Sequence, residues 1–318
     1  MDENWILPAD KLAARMGLPR VLSACPAPMG EGEEGYSGAA LFQLRAGFAG
    51  GGEGSFVCKK TSLKEREATG RLFLQGRGYT PAALSCGPDG EGEGWMIMED
   101  IGRKASLPED RARWKRQAAE AFAAIHMDNF GKGAEMPWLP AADAEYWDFF
   151  THALSAGHFE RFCREDEAFA AEYGGKLPAL REAAASFSAG MAALFEAGTA
   201  NTLTHGDVQT MDGDHVRCRG GRPVVIDFGF CRYAPLYIDL TDYFRPEEWA
   251  LCWEAYRAQG LRLGKQDFLE GCRTAARYPG FAYLFPALMA WKRGGTGTAP
   301  ALYAPFGAVN RAGAAGTE

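Results

Sequence analysis

Residues 203–229 read Leu-Thr-His-Gly-Asp-Val-Gln-Thr-Met-Asp-Gly-Asp-His-Val-Arg-Cys-Arg-Gly-Gly-Arg-Pro-Val-Val-Ile-Asp-Phe-Gly. Two acidic signals stand at the ends, His205-Gly206-Asp207 and Ile226-Asp227-Phe228-Gly229. The residues between them predict a hairpin. His215 to Cys218 forms one short strand, Gly220-Gly221 the turn, and Pro223 to Ile226 the second strand. Val224, Val225 and Ile226 are β-branched and pin Asp227 at a strand end. A hairpin folded this way is expected to bring Asp207 and Asp227 near one another.

Two such carboxylates suit phosphoryl transfer. One orients an attacking hydroxyl and accepts its proton, and the other holds the metal that bridges the phosphates. The order is that of the kinase pair, an H-x-D catalytic loop followed by D-F-G. Either half alone reads as a turn, or as a buried strand ending in a solvated acid. Both halves, twenty residues apart and across a hairpin, favour a nucleotide site.

On these residues the stretch resembles the aminoglycoside phosphotransferase and choline kinase-like family, whose fold is that of the protein kinases. The family pattern is H-G-D-x-x-x-x-N followed by a strand ending I-D-F or I-D-W. His205, Gly206, Asp207, Ile226, Asp227 and Phe228 match it. The Asn does not. Its place falls on Asp212 counting forward from Asp207, or on Asp214 counting back from Asp227. An Asp there still offers magnesium a hard oxygen ligand. The resemblance implies an α+β, protein-kinase-like bilobal fold. Residues 1–102 make a small β-rich N-terminal lobe that binds nucleotide. Residues 103–318 are expected to make a larger, mainly helical lobe with the catalytic loop and the substrate site, and residues 292–318, rich in Gly and Ala, read as a loosely packed tail in which Leu302 to Phe306 can dock.

The 318 residues suffice for one large domain or two modest ones. Apolar content of 47% and charged content of 24% are ordinary for a soluble globular chain. A net charge of −7 argues against a nucleic-acid surface and mildly favours neutral or cationic substrates. The eight cysteines show no C-x-x-C spacing and read as reduced thiols of the cytoplasm. Charges run throughout Met1 to Arg20, unlike a signal peptide. The apolar run Phe281 to Trp291 is too short to span a bilayer.

Ala9 to Leu18 predicts a first helix, and Ala39 to Arg45 a strand. Gly30, Gly32 and Gly35 spell G-x-G-x-x-G, but Glu31, Glu33 and Glu34 would face a phosphate with negative charge. Gly35-Tyr36-Ser37-Gly38 is the better phosphate loop: backbone N–H groups of Gly35 and Gly38 and the Ser37 hydroxyl suit phosphate oxygens. Ser55 to Lys60 is a further strand. Its alternation sends Lys59 and Lys60 to opposite faces, so only one points inward. The resemblance makes that residue the phosphate-binding lysine. Lys59 fits best and Lys60 is the alternative. Leu63 to Gln75 reads as a helix with Glu65, Arg66 and Glu67 in its first turns, where a glutamate can pair with the lysine. Resemblance to the family's R-E-A segment selects Glu67. Trp95 to Asp100 is a buried strand with a polar end. It resembles the family hinge, whose backbone, here Met98 to Asp100, binds adenine.

Helical periodicity takes over from Glu109. Tyr146, Trp147, Phe149 and Phe150 open an aromatic helix that reads mainly as core. Asp143, Glu145 and Asp148 beside it suit either a cationic substrate or a solvated face. Leu180 to Glu196, ended by Gly198, delivers the chain to the catalytic loop. Asp239 lies twelve residues past Asp227, which leaves no room for the activation segment of a protein kinase. A small-molecule kinase is therefore expected. Asp239-Leu240 resembles the family's D-L-A element, whose Asp supports the catalytic loop.

The expected reaction moves the γ-phosphate of ATP, or of GTP, to a hydroxyl of a small acceptor such as an aminoglycoside, amino alcohol or sugar. Asp207 is the base and His205 braces its loop. Asp227, with Asp212 or Asp214, binds Mg2+. Lys59 holds the phosphates and Glu67 holds Lys59. The alternative is a nucleotide-binding protein of the same fold without catalysis, motivated by the missing Asn. Neither a nucleic acid nor a membrane is an expected partner.

Overall fold

The computed structural model describes residues 5–29, 40–86, 92–102, 108–208 and 215–294. In chain order they form α1 (Ile6–Arg15), β1 (Val21–Ala27), β2 (Leu41–Phe48), β3 (Glu53–Thr61), α2 (Leu63–Leu74), β4 (Ala83–Cys86), β5 (Gly94–Glu99) and α3 (Arg111–Asn129). Next come α4 (Ala144–Asp148), a π-helical stretch (Phe149–Ala156), α5 (Gly157–Glu165), α6 (Glu167–Tyr173), α7 (Leu177–Ala197) and β6 (Asn201–Thr204). The hairpin strands β7 (Val216–Arg219) and β8 (Arg222–Val225), then β9 (Arg232–Pro235) and α8 (Tyr237–Tyr243), follow. The helices α9 (Trp249–Ala258), α10 (Lys265–Ala275), α11 (Tyr278–Ala282) and α12 (Leu284–Gly294) complete the described chain.

The chain divides into two compact units. One comprises Met1–Asp128, Pro137–Leu139 and Met211–Cys231, the other Asn129–Met136, Pro140–Thr210 and Arg232–Glu318. Beyond the expected boundary near Gly102, the first unit takes up most of α3 and the β7–β8 hairpin.

The first unit is built on an antiparallel sheet of order β1-β2-β3-β5-β4. Strand alternation sends Leu44, Ala46, Phe56, Cys58 and Ile97 to one face, where they meet Ala9, Leu12 and Ala13 of α1 in a single core. Trp5, Phe42 and Trp95 close it with edge-to-face rings 5.1–5.5 Å apart. The first helix starts three residues before the expected Ala9, because Trp5, Ala9, Leu12 and Ala13 form a buried stripe at helical spacing. Past its end the chain turns at Gly17, with φ of 71°.

In the second unit α7 carries a stripe of Leu180, Ala183, Ala184, Phe187 and Met191. Phe187 meets Trp147 at 5.8 Å and stacks on Phe281 at 5.1 Å. Trp147 and Phe150 are therefore core, whereas Phe149 is 56% exposed. Asp143, Glu145 and Asp148 are all exposed, and Asp143 caps α4 by accepting from the Tyr146 N–H. Gly198, at φ 66°, ends α7 and turns the chain into β6, which pairs with β9.

Candidate active site

In the first unit the site begins with the pleat of β3. Lys59 lies between Leu41 of β2 and Met96 of β5, on the face away from the α1 core. It is buried, whereas Lys60 is exposed and lies 3.8 Å from Glu93. Lys59 Nζ donates to Glu65 Oε1 at 2.7 Å and to Asp227 Oδ1 at 2.7 Å. Burial alone would lower the lysine's pKa, but the Glu65 and Asp227 carboxylates outweigh it and raise the value. The ammonium is thus a fixed charge.

The glutamate is Glu65, not the expected Glu67. Side chains two residues apart on a helix point about 200° apart, so α2 cannot present both to β3. Glu65 shares the buried stripe of Ala68 and Leu72, and its second oxygen accepts from the Thr61 hydroxyl. Glu67 is exposed, on the rim of a separate groove of 570 Å³ that Arg15 and Arg71 also line. The spacing 65-68-72 in the sequence is the signal that would have selected Glu65. Arg66 is buried as well, its guanidinium donating to the Thr61 carbonyl at 2.6 Å.

Asp227 arrives from the hairpin. Val216 pairs with Val225 and Arg219 with Arg222, around Gly220 and Gly221 at φ 57° and 80°. Two successive positive φ values are what a two-residue hairpin turn demands. The Val225 N–H donates to the Tyr79 carbonyl at 2.7 Å, and Arg217 donates to the Gly102 carbonyl at 2.9 Å. The hairpin is in this way bonded to the sheet's own unit. Asp227 then adopts φ 65° and ψ 64°, the one positive φ at a non-glycine position among the described residues. Strain of this kind collects at functional sites. The next residue, Phe228, is buried and opens a short turn packed against α2. A Cβ at Gly229 would come within 3.4 Å of carboxylate oxygens of both Asp227 and Glu65. The Asp227 side chain remains 41% exposed, with His215 Nε2 4.0 Å from its Oδ2.

Met98 sits in the ladder, opposite Val57 on one side and Ala83 on the other. Asp100 lies just past the strand. Its carboxylate accepts from the Ser55 hydroxyl at 2.6 Å, the Gln43 amide at 2.9 Å and the Gly102 N–H at 2.9 Å. Burial would raise this carboxyl's pKa, but these donors and Arg217 hold it below the usual range. The side chain of Asp100 therefore braces the end of β5 against β2 and β3.

In the second unit β6 runs into His205. Asp239 of α8 accepts from the His205 N–H at 2.7 Å and from the Gly206 N–H at 2.8 Å. Asp242, one turn on, accepts from the Val208 N–H at 2.7 Å. The Tyr278 hydroxyl donates to the Gly206 carbonyl at 2.5 Å, and Gly206 has φ 78°. His205 is buried, and its Nδ1 accepts from the Asp207 N–H at 3.2 Å. The ring thus braces the loop. Asp207 is half-buried, with its Oδ1 3.1 Å from the Tyr283 hydroxyl. Burial first, and then the nearby acids, raise the pKa of Tyr283 and Tyr278, which keeps both phenols as donors.

Asp242, Tyr278 and Tyr283 escaped the sequence reading. Asp242 had a signal, since it lies three residues after Asp239 on the same helix. The tyrosines had none. Gly35, Ser37, Gly38, Asp212 and Asp214 lie outside the described residues. Among the described residues there is no group of three or more His, Cys, Asp or Glu placed to hold a metal ion. No described helix is long and apolar enough to cross a membrane.

Residues 48–275 match the family model for the phosphotransferase enzyme family, abbreviated APH. The chain belongs to that family and is a phosphotransferase. Its fold is mixed α+β, with an antiparallel-sheet unit and a helical unit, and kinase-like. A Plasmodium vivax ethanolamine kinase is similar at 10% identity and TM-score 0.59, over 91% of this chain and 81% of that one. A spectinomycin phosphotransferase in complex with ADP and spectinomycin is similar at 14% identity and TM-score 0.56, over 96% and 97%. The GDP and kanamycin complex of an APH enzyme is similar at 14% identity and TM-score 0.50, over 97% and 99%. No curated protein matches the sequence.

Proposed function

We propose that the chain transfers the γ-phosphate of ATP, or of GTP, to a hydroxyl of a small molecule. An aminoglycoside, an amino alcohol or a sugar is the class of acceptor. The observation that carries this reading is the buried Lys59 ammonium, bonded at once to Glu65 and to Asp227. An ammonium fixed in this way is a preorganised charge for a triphosphate. Family membership supports the reaction type. ADP in one similar structure and GDP in another support a nucleoside triphosphate as donor.

In the proposed reaction the acceptor oxygen attacks the γ-phosphorus. A new O–P bond forms, the bond to the β,γ-bridging oxygen breaks, and the nucleoside diphosphate leaves. Asp207 orients the acceptor hydroxyl and takes its proton. His205, Asp239 and Asp242 hold the Asp207 loop. Lys59 binds phosphate oxygens, and Glu65 keeps it extended. The Asp227 carboxylate, hard in its donor oxygens and partly exposed, fits a magnesium ion, which takes one or two carboxylates plus phosphate oxygens. Asp212 or Asp214 would be the second ligand. Bound there, magnesium would neutralise charge on the phosphates. Met98 to Asp100 would offer backbone to the adenine, and Gly35, Ser37 and Gly38 would cover the phosphates.

We place the protein in the cytoplasm, on the support of eight cysteines that form no disulfide, four of them buried. Net charge of −7 supports a small-molecule partner over a nucleic acid.

The test is a thermal-shift titration with ATP and with GTP, each with and without magnesium, using Asp227→Ala as control. Ligand at about a hundred times its Kd should stabilise by roughly 2.7 kcal/mol. ADP or GDP release is then followed against a panel of hydroxyl acceptors. A magnesium-dependent shift that the variant loses, followed by acceptor-dependent release, is the expected result. No shift with either nucleotide would overturn the reading.

A further inference from the structure

Tyr283 stands where α11 ends and α12 begins. Its hydroxyl lies 3.1 Å from Asp207 Oδ1, 3.0 Å from Asp242 Oδ1 and 2.9 Å from Asp242 Oδ2. Three distant segments therefore meet on one oxygen: the loop after β6, helix α8, and the α11–α12 junction. Ionised carboxylates accept and cannot donate, so Asp207 and Asp242 cannot bond to each other directly. The phenol has one proton, which can be given to only one of them at a time. Rotation about the Cζ–O bond, with the ring fixed, moves it between the two.

We propose that Tyr283, anchored by Asp242, is a positioning residue for Asp207. Its proton pins Asp207 Oδ1 and so fixes the plane in which the carboxylate meets the acceptor hydroxyl. While Asp207 is anionic, it competes for the Tyr283 proton and its carboxylate plane is fixed. When Asp207 takes the acceptor's proton, the carboxyl becomes a poorer acceptor, and the Tyr283 proton turns to the still-charged Asp242. The hydrogen bond is thus strongest before transfer and relaxes after it. Asp242 has a second task, receiving the Val208 N–H, which keeps it aimed at the loop whichever way the phenol turns. This inference rests on the phosphotransfer reading above, because it assigns a partner to the base of that reaction.

Among the described residues, the titratable groups set around the Asp207 loop include Tyr283 itself, Tyr278 of α11, Asp239 and Asp242 of α8, and His205. Two variants separate positioning from packing. Tyr283→Phe keeps the ring and removes the proton. Asp242→Asn keeps an acceptor for Val208 and offers its amide to the phenol oxygen, which commits the Tyr283 proton to Asp207. A base works deprotonated, so the rate falls as pH falls through its pKa. Losing a donor to the anionic form raises that pKa, and gaining one while losing a neighbouring negative charge lowers it.

The experiment measures kcat, KM for nucleotide, and the pH profile of kcat/KM for wild type and both variants, with the best acceptor from the panel. Tyr283→Phe should lower kcat by about tenfold, because a carboxylate free to rotate is less often aligned with the acceptor hydroxyl, with nucleotide KM within about twofold. Its acidic limb should move to higher pH, and that of Asp242→Asn to lower pH. Wild-type kcat in Tyr283→Phe, or limbs that move in the same direction, would overturn the positioning role and leave the kinase reading intact. A wild-type protein that binds no nucleotide and phosphorylates no acceptor would overturn both.

Discussion

Lys59 Nζ and Glu65 Oε1 are joined at 2.7 Å across the single-residue step between β3 and α2. Both partners are nearly excluded from water, at 9% and 2% exposure. A pair at this depth depends on its charge being matched. Glu65→Gln keeps the shape and removes the charge. It should lower kcat/KM for the nucleotide roughly tenfold, the scale of one charge-assisted hydrogen bond. Glu67→Gln, on the exposed side of the same helix, should leave kinetics at the wild-type level. Steady-state kinetics on both variants decide between the two glutamates, and a larger loss in Glu67→Gln would reverse the assignment.

The raised pKa of Lys59 sets an alkaline limit on stability. Burial opposes the charge, but Glu65 and Asp227 more than offset that, so the folded value lies above the ordinary value of about 10.4. The folded state then binds the proton more tightly than the unfolded state. The stabilisation is complete below the unfolded value and is lost as pH rises through the folded one. Urea midpoints of wild type and Lys59→Met, followed from pH 8 upward, should keep a constant gap to about pH 10. Above that the gap should narrow. A gap that widens there would contradict the sign.

Asp227 holds a left-handed backbone, which glycine adopts freely and alanine does not. Asp227→Gly and Asp227→Ala both lose the bond to Lys59, so their difference isolates the backbone strain. The glycine variant should be more stable by about 0.5–1 kcal/mol, after allowing for its greater unfolded entropy. Denaturant midpoints measure this. Neither variant should retain magnesium-dependent nucleotide binding.

Asp207 belongs to the second compact unit, in the loop after β6. Asp207→Asn keeps a hydrogen-bonding group for Tyr283 but cannot accept the acceptor's proton. Transfer should fall by about 10²–10⁴-fold, the usual worth of a general base. The thermal shift with the magnesium nucleotide should persist. Full activity in this variant would remove Asp207 from the role of base.

The elements near the site were legible because their signals are local. The Gly220-Gly221 turn between alternating residues gave the hairpin to within one residue at each end. Alternation along β3 put Lys59 and Lys60 on opposite faces, as they are, but left open which of the two points inward. Glu65 was legible too, through its spacing to Ala68 and Leu72, but the three-residue resemblance to R-E-A outweighed helical geometry. The boundary of the first unit was not legible. It depends on bonds such as Arg217 to the Gly102 carbonyl, which join residues 115 apart.

The sequence by itself determined α1, β2, β3, α2, β5, α7 and the β7–β8 hairpin to within a few residues, though not β1, β4, β6 or β9, and by resemblance it gave the family and named Lys59, His205, Asp207 and Asp227 as candidates. The elements follow from period and turn chemistry, and the family and candidates from the resemblance of short motifs, all of which act over a few residues. Only the tertiary structure decided which glutamate meets Lys59, that Asp227 pairs with it, and that Asp242 and Tyr283 converge on the Asp207 loop. Tyr283 and Asp207 are 76 residues apart, and Lys59 and Asp227 are 168 apart. Such pairings are set by how whole elements pack, because a hydrogen bond reads a distance of about 3 Å in space and carries no memory of separation along the chain.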